Sequence, residues 1–365
     1  ASKSMWLDGS KATVLNGDIA MKGGALSITA NDINIGEFAG PQGDSLNLSN
    51  QKLASFTVDD FVLNSRGSIN FFGNVGKPDG SALQFNNLVL DAQALSGYDN
   101  AGKSTKLQAN TMLVQNSTGA AATVTGTGSG VLDLVANQYN QGGGPIGLDG
   151  FSTVNINASK QLTGVGNSDI KVAANLNVTT GLLTTTGGNK LAIDATGYNV
   201  SINGNGPNQS VSSEFGGIVD VKANSIALNN ANVLLPSGAL KLQAQVGDIL
   251  VNGNSNVNLA GRAVRFADIF DYTPGGTFSA DATLGKIVLA EKSAVDVSTG
   301  GGTAASGNLI FKAPQQTVDL LGNIKATGAS AVIDVGNFSA TASFDSLMNQ
   351  LASAGVSDSL YFRTH

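Results

Sequence analysis

The side chains best suited to chemistry or binding are concentrated in residues 260–275. This segment holds two Arg, two Asp and three aromatic residues, in a chain that is 13% charged and 6% aromatic. Arg and aromatic side chains dominate the energetics of contact surfaces, and aromatic rings also stack on the faces of sugars. The sequence therefore predicts a ligand-contact loop for a glycan or a protein surface, formed by Arg262, Arg265, Phe266, Phe270 and Tyr272.

Two other interpretations of this segment stay open. Asp268 and Asp271 could form the carboxylate pair that glycoside-cleaving enzymes require, with Arg262 or Arg265 beside it. Alternatively, the two Phe side chains fold inward over the body of the protein, and the Arg and Asp side chains form salt bridges in solvent. We predict no catalytic residues, because a solvated loop explains the same composition without them.

The rest of the sequence lacks the residues of common catalytic and metal sites. The single His is the last residue, His365, and there is no Cys. His-based triads, His or Cys metal clusters and disulfides are therefore excluded. The Gly run at 142–144 is not followed by the Gly-Lys-Ser/Thr of a phosphate-binding loop. We predict no cofactor, no metal and no enzymatic activity.

The composition also limits the partners. The net charge of −6, with no run of Lys or Arg, argues against nucleic acid as a partner. No stretch reaches the roughly 18 continuous apolar residues of a membrane-spanning helix, so we expect the chain not to insert into a membrane. The 47 Gly and 7 Pro residues favour many tight turns between strands that need their backbone N–H groups for pairing.

An internal repeat determines how these residues are positioned. Residues 238–251 contain a Gly, two apolar residues at alternate positions, Ala244, a Gly-Asp turn and two further apolar residues. The template begins again at Gly276 and at Gly307, and at Asn189 with Asn in place of Gly. The return of one side-chain series along the chain is the signature of a repeat architecture.

The local pattern of these repeats predicts the fold. Apolar and polar residues alternate over three to five positions between Gly and Asn, which indicates very short half-buried strands. A coil of about 20 residues cannot bury its own apolar face, but a stack of coils can. We therefore predict an all-β, right-handed parallel β-helix that runs as one continuous segment through residues 1–365, with 260–275 as a loop insertion. In this register Ala244, Ala282 and Ala313 point into the core.

Other segments depart from the coil pattern. Residues 93–105 and 137–150 are predicted to be polar loops. The Phe residues between 53 and 90 are expected to stack inside the coil, with an aromatic binding stripe as the alternative.

The period changes near the end of the chain, where apolar residues follow helical spacing at Phe344, Leu347, Met348 and Leu351. Ser343 is placed to cap the start of a helix and Gly355 to end it. The sequence predicts a helical insertion at 341–356 with the helix near 343–354. Strand alternation then resumes at 360–364, and we expect these residues to be an interior part of a longer protein.

The repeats at 238–259, 276–297 and 307–320, with the acidic Gly/Asn/Ser/Thr-rich composition and the missing Cys, resemble the filamentous-haemagglutinin-like exoproteins of two-partner secretion. Residues 354–365 are similar to a helix-to-strand junction of large members. The resemblance implies a secreted or cell-surface bacterial protein that is exported by a dedicated outer-membrane transporter. The resemblance covers nearly the whole chain and depends on the repeat pattern and composition more than on any single motif.

These observations lead to one principal functional hypothesis and two alternatives. The principal hypothesis is the structural stem of a secreted bacterial adhesin or biofilm-matrix protein that mediates attachment or aggregation. Its expected partners are an exopolysaccharide, a host or cell-surface glycan, or a protein. The alternatives are the delivery stem of a contact-dependent inhibition toxin and a polysaccharide-cleaving β-helix enzyme with its site around residues 262–272.

Overall fold

A computed structural model describes residues 3–9, 14, 15, 17, 19, 21, 23–38, 45–77, 79–122, 124–206 and 214–365. In these ranges the fold is an all-β parallel β-helix of short strands, with a helix inserted near the end, as the sequence predicts. The hand of the coil stays a prediction. Residues 10–13, 39–44 and 207–213, which the sequence also assigns to the β-helix, lie outside the described ranges. Within those ranges, no helix is long and apolar enough to span a bilayer.

The chain divides into two compact units, Ala1–Val178 and Thr179–His365. The elements that begin in the first unit are β1 (Ser4–Asp8), β2 (Ala25–Ala30), β3 (Ile33–Gly36), β4 (Leu46–Ser49), α1 (Asn50–Ser55), β5 (Asp60–Ser65), β6 (Ser68–Phe72), β7 (Leu83–Asp91), β8 (Ala94–Tyr98), β9 (Ser104–Gln115), β10 (Gly130–Gln141), β11 (Gly144–Asp149), β12 (Phe151–Gly164), β13 (Ser168–Val172) and β14 (Asn175–Thr180).

Parallel ladders hold the first unit together. One ladder runs through β1, β2, β5, β7, β9, β10 and β12, and another through β3, β6, β8, β11 and β13. In the first ladder, the residues that pair from coil to coil and point into the core are Leu26, Phe61, Leu88, Met112 and Tyr139. None of them is more than 2% exposed. The core of this unit is therefore a column of stacked side chains, one from each coil.

The Phe residues of this unit lie both inside and outside the coil. Phe61 and Phe71 are buried, as the stacking hypothesis predicts. Phe72 is half-buried, and its ring stacks on that of Tyr98 with centroids 5.0 Å apart. The segment therefore contributes to the core and also places one aromatic pair near the surface.

The prediction of polar loops at 93–105 and 137–150 is wrong. These residues form β8, the start of β9, the end of β10 and β11. Ser96 and Asp149 pair with each other on the outward face of these strands, opposite to Leu95 and Leu148, yet they are only 0% and 1% exposed. Ser96 Oγ donates to Asp149 Oδ1 at 2.7 Å, and the backbone N–H of Gly126 donates to Asp149 Oδ2. The segment at Gly126 therefore covers this outward face, and hydrogen bonds satisfy the buried carboxylate.

The second unit contains β15 (Leu183–Thr185), β16 (Lys190–Gly204), β17 (Ile218–Asn229), β18 (Asn232–Leu234), β19 (Ala239–Ala244), β20 (Ile249–Asn252), β21 (Asn256–Asn258), β22 (Ala263–Phe266), β23 (Ile269–Tyr272), β24 (Thr277–Ala282), β25 (Ile287–Leu289), β26 (Ala294–Asp296), β27 (Asn308–Ala313), β28 (Val318–Leu320), β29 (Asn323–Lys325), β30 (Ser330–Val335), α2 (Phe344–Ala354) and β31 (Leu360–Thr364).

Three parallel ladders run through the second unit. The first runs through β17, β19, β24, β27 and β30, the second through β17, β20, β25 and β28, and the third through β18, β21, β26 and β29. The coil from Ile218 to Ala239 has the predicted length of about 20 residues. The coil from Ala239 to Thr277 is longer, because it contains β22 and β23.

The Ala positions of the repeat point into the core, as predicted. Ala223 pairs with Ala244, and Ala244 pairs with Ala282. Ala244 is 1% exposed, and Ala282 and Ala313 are 0% exposed. Successive coils therefore place an Ala side chain at the same position in the core.

Outward-facing Asn side chains form hydrogen-bonded ladders along the stack. In the second unit, Asn229 Nδ2 donates to Asn203 Oδ1 at 3.0 Å, and Asn252 Nδ2 donates to Asn229 Oδ1 at 3.2 Å. In the first unit, Asn155 Nδ2 donates to Asp133 Oδ1 at 2.7 Å. Asn177 Nδ2 in turn donates to Asn155 Oδ1 at 3.0 Å. These bonds add side-chain pairing to the backbone ladders.

Helix α2 has the predicted caps and a slightly different buried face. Ser343 Oγ accepts from the N–H of Ser346 at 3.1 Å, and Gly355 ends the helix with φ 88°. Leu347 and Leu351 are buried as expected, but Phe344 is 49% exposed. Phe344, which shares the apolar spacing of the helix, is therefore only partly packed: its ring contacts Phe362 edge-on, with centroids 5.0 Å apart.

Candidate ligand-contact hairpin

The segment predicted to be a ligand-contact loop forms a β-hairpin. Strands β22 and β23 pair antiparallel, with Ala263 opposite Tyr272 and Phe266 opposite Ile269. They form a two-stranded sheet of their own, separate from the parallel ladders. The turn contains Ala267 with φ 51°, a left-handed conformation that a two-residue hairpin turn favours. The insertion is thus an ordered element that leaves the coil after β21 and returns at β24.

Hydrogen bonds fix the base of this hairpin to the coil. Thr273 and Arg262 bond each other twice: Thr273 N donates to Arg262 O at 2.9 Å, and Arg262 N donates to Thr273 Oγ1 at 2.8 Å. The hydroxyl of Ser237 donates to Thr273 Oγ1 at 2.7 Å. Gly300 N donates to Thr273 O at 3.0 Å, which connects the base to the Gly-rich turn of the next coil.

Glycines of that turn make room for the hairpin. A Cβ atom on Gly300 would lie 2.5 Å from the carbonyl oxygen of Arg262. A Cβ atom on Gly302, which has φ 60°, would lie 2.7 Å from the ring of Tyr272. The ring of Tyr272 therefore packs directly against the backbone of these glycines. This close approach lets the base of the hairpin bond to the coil.

Register assigns the side chains of the hairpin to two faces. Arg265, Phe270 and Tyr272 share one face, because Arg265 pairs with Phe270 and Tyr272 lies two residues beyond it. We call these three residues the Arg-aromatic face. Phe266 and Ile269 are paired on the opposite face. Side chains of both faces reach solvent, although the ring of Tyr272 also packs against the turn at Gly301 and Gly302.

Exposure distinguishes between the interpretations of the two Phe residues. Phe266 is 62% exposed and Phe270 is 54% exposed. The alternative in which both fold inward over the coil is therefore wrong. Ile269 is 73% exposed and was not singled out in the sequence. The turn residues Ala267 and Asp268 are not a typical hairpin pair, so no local signal identifies Ile269 as an exposed hairpin residue.

The charged side chains of the hairpin interact weakly with one another. Arg265 Nη2 lies 3.7 Å from Asp268 Oδ1, and both side chains are well exposed. Arg265 Nε also donates to the carbonyl of Ala267 at 2.8 Å, which holds the guanidinium along the turn. Such an exposed ion pair contributes roughly 0–1 kcal/mol. Its energetic effect is therefore small.

Arg262 has a different role from Arg265. It precedes β22 at the base of the hairpin, where its backbone bonds Thr273. Partial burial lowers the pKa of its guanidinium. The structure therefore divides the five predicted contact residues: Arg262 belongs to the base, three form the Arg-aromatic face, and Phe266 lies on the other face.

The two carboxylates proposed for catalysis have separate surroundings. Asp268 lies in the turn next to Arg265, while Asp271 Oδ1 accepts from the backbone N–H of Tyr272 at 2.9 Å. Across the described ranges, no group of three or more His, Cys, Asp or Glu side chains is arranged to hold a metal ion. The hairpin instead combines exposed rings, a guanidinium and hydrogen-bonding carboxylates, a set suited to binding a polar ligand with apolar faces.

In comparisons with protein-family models, curated proteins and solved structures, nothing matches the chain.

Proposed function

We propose that this chain is the structural stem of a secreted bacterial adhesin or biofilm-matrix protein, and that its hairpin contacts a glycan. The observation that carries the proposal is the contrast between the base and the tip of the hairpin. The base at Arg262 and Thr273 is bonded to the coil, whereas the ring of Phe270 on the Arg-aromatic face is more than half exposed. An apolar surface presented in this way favours a contact role over a purely structural one.

The chemistry of the Arg-aromatic face favours a sugar. The apolar face of a pyranose ring can stack on Phe270 and Tyr272, while its hydroxyl groups exchange hydrogen bonds with guanidinium and carboxylate groups. Because Asp268 lies beside Arg265, the charges at this end of the hairpin are balanced. We therefore expect an uncharged polysaccharide to bind better than a strongly acidic one.

The remaining parts of the proposal rest on the sequence. The missing Cys and the acidic polar composition are compatible with export, and the resemblance to two-partner secretion exoproteins supports an outer-membrane transporter as the export partner. A stack of coils suits a stem, because each coil is stabilised mainly by its neighbours and the array can be extended. Attachment or aggregation at the bacterial surface is the activity we expect.

The hairpin is tested by comparing its two faces. The first variant replaces Arg265, Phe270 and Tyr272 with Ala. The control variant replaces Phe266 and Ile269, on the opposite face, with Ala. Retention by an uncharged β-glucan is measured by affinity electrophoresis of the purified protein, and circular dichroism checks folding. We expect the first variant to lose at least about tenfold in affinity, which corresponds to about 1.4 kcal/mol, and the control to lose much less.

The outcomes separate the proposal from its alternatives. Equal binding by the parent protein and the first variant, with the coil still folded, would remove the Arg-aromatic face as a binding surface. An equal loss in both variants would indicate a general apolar contact. Release of new reducing ends from the glucan would instead support the polysaccharide-cleaving alternative.

A further inference from the structure

A pocket in the first unit is separate from the hairpin and has the chemistry of a binding site. It has a volume of about 250 Å³, and its wall includes Glu37, Asn74, Lys77, Ser104 and Lys106. This volume is somewhat below the range of about 300–1,000 Å³ in which drug-sized ligands bind. A single sugar unit is the size of ligand that suits it.

Hydrogen bonds between coils hold the wall of the pocket in place. Asn50 Nδ2 donates to Asn74 O at 2.8 Å, and Ser104 N donates to Asn74 Oδ1 at 3.3 Å. Beneath them, Val75 N donates to Ser104 O at 3.0 Å and Lys106 N donates to Val75 O at 2.8 Å. The pocket is thus built on paired backbone and does not require a loop to close over it.

The pocket has more cationic than anionic side chains in and around its wall. Lys103 Nζ lies 3.3 Å from Glu37 Oε2 just outside the wall, so one positive charge balances the carboxylate. Lys77 is attracted to the exposed carboxylate of Asp79. The ammonium of Lys106 forms no hydrogen bond or ion pair with any residue that the structure describes. In a chain with a net charge of −6, this is a locally basic site.

Donors also outnumber acceptors at the pocket wall. Asn74 Nδ2 and Ser104 Oγ have no hydrogen-bond partner within the described ranges, and they add to the donors of Lys77 and Lys106. Glu37 supplies one acceptor. Its Oε2 accepts from Lys103 Nζ and from Asn74 N, each at 3.3 Å, but its Oε1 has no partner among the described residues and can accept from a ligand. A ligand for this wall needs an anionic group and also hydroxyl groups that donate.

We propose that this pocket binds a sugar unit that carries a carboxylate, such as a uronic acid. The ammonium groups of Lys77 and Lys106 would pair with the ligand carboxylate, and Asn74 and Ser104 would donate to its ring oxygens. The Glu37 carboxylate accepts from a sugar hydroxyl and repels inorganic phosphate, which carries more negative charge than a uronic acid at neutral pH and has fewer hydroxyl groups. This carboxylate therefore distinguishes an acidic sugar from inorganic phosphate.

The proposal is tested by NMR titration of the full chain with D-glucuronate, following the amide signals of Asn74, Gly76 and Ser104. Parallel titrations use glucose, which lacks the carboxylate, and inorganic phosphate, which lacks the sugar ring. We expect saturable shifts with glucuronate and at least about tenfold weaker binding of the other two ligands. The affinity for glucuronate should fall as NaCl is raised, because Lys77 and Lys106 are only half-buried and salt screens their charges.

Two variants and a matched control identify the groups involved. Lys106→Gln should weaken glucuronate binding about tenfold, while Lys171→Gln, which removes an exposed Lys of β13, should have no effect. Glu37→Gln should weaken glucuronate and strengthen phosphate, since it removes an acceptor for sugar hydroxyls and releases Lys103.

Three results would overturn the proposal: no saturable shift with glucuronate, equal affinity for phosphate and glucuronate, or equal losses in Lys106→Gln and Lys171→Gln. Circular dichroism of each variant separates loss of binding from loss of folding. The variants of the hairpin should bind glucuronate as the parent does. A negative result at the pocket would therefore not contradict the proposed role of the hairpin. A negative result at the hairpin would likewise not contradict glucuronate binding at the pocket.

Discussion

Replacing Ala244 by Leu tests the register on which the repeat depends. Ala244 is 1% exposed and lies in register between Ala223 and Ala282 of the adjacent coils. Adjacent strands are about 4.8 Å apart. The additional carbon atoms of Leu therefore cannot fit along the ladder direction without displacing the Ala methyl groups on either side.

The expected loss can be estimated from this packing. Adding carbon atoms to a close-packed core costs about 1–3 kcal/mol. Each kcal/mol lowers the melting temperature of a domain of about 150–250 residues by about 2–4 °C. Ala244→Leu should therefore lower the Tm of the second unit by about 2–12 °C.

A matched control is available on the same strand. Gln243 is exposed, so Gln243→Leu introduces the same new side chain on the outer surface of β19. Thermal melts followed by far-ultraviolet circular dichroism compare both variants with the parent. A Tm for Ala244→Leu within about one degree of the parent, or an equal loss in Gln243→Leu, would refute the inward register.

Three further predictions follow from other parts of the structure. Burial raises the pKa of Tyr139, so the stability that depends on its neutral phenol should be lost as pH rises above about 10, where the unfolded chain ionises. In Tyr139→Phe, the free energy of unfolding should fall less across this range than in the parent, and parallel pH profiles would contradict this. Gly300→Ala should open the base of the hairpin, since its Cβ would lie 2.5 Å from the carbonyl of Arg262. Faster amide exchange at Thr273 would be the readout, and unchanged exchange would count against it. Replacing 341–356 with a short Gly/Ser bridge should leave the preceding coils folded, because solenoid stability is nearly local, whereas global unfolding would identify α2 as a cap.

The repeated Ala positions and the helix could be predicted because each leaves a one-dimensional pattern. Ala244 and its equivalents follow Leu or other apolar residues at alternate positions, which is enough to define an inward face. Helix α2 shows helical spacing between Ser343 and Gly355, residues that can serve as caps. The exposure of Phe344 could not be predicted, because its ring packs on Phe362 of the following strand.

The strands at 93–105 and 137–150 could not be found from hydrophobic alternation. Their outward positions include Ser96 and Asp149, which are buried and hydrogen-bonded to each other across different coils of the first unit. Nothing in the local sequence indicates that these two residues meet. Predicting a buried polar pair requires the register of distant strands, which hydropathy does not provide.

The contact segment was predicted by composition, but its conformation was not. Its turn contains Ala267 and Asp268, whereas Asn-Gly or Asp-Gly would have indicated a hairpin. The arrangement of Arg265, Phe270 and Tyr272 on one face depends on the pairing of β22 with β23. A count of Arg and aromatic residues cannot separate this face from the face of Phe266.

The Asn ladders have a direction, and that direction bears on the order in which coils assemble. In the ladders Asp133–Asn155–Asn177 and Asn203–Asn229–Asn252, the amide of the later coil donates to the side-chain oxygen of the earlier coil. The first residue of such a ladder only has to accept a hydrogen bond, which is why Asp133 can occupy that position. A finished coil therefore presents unfilled acceptors to the segment that follows it. For a chain that folds from its amino end as it emerges, each completed coil is a template that aligns the next arrival.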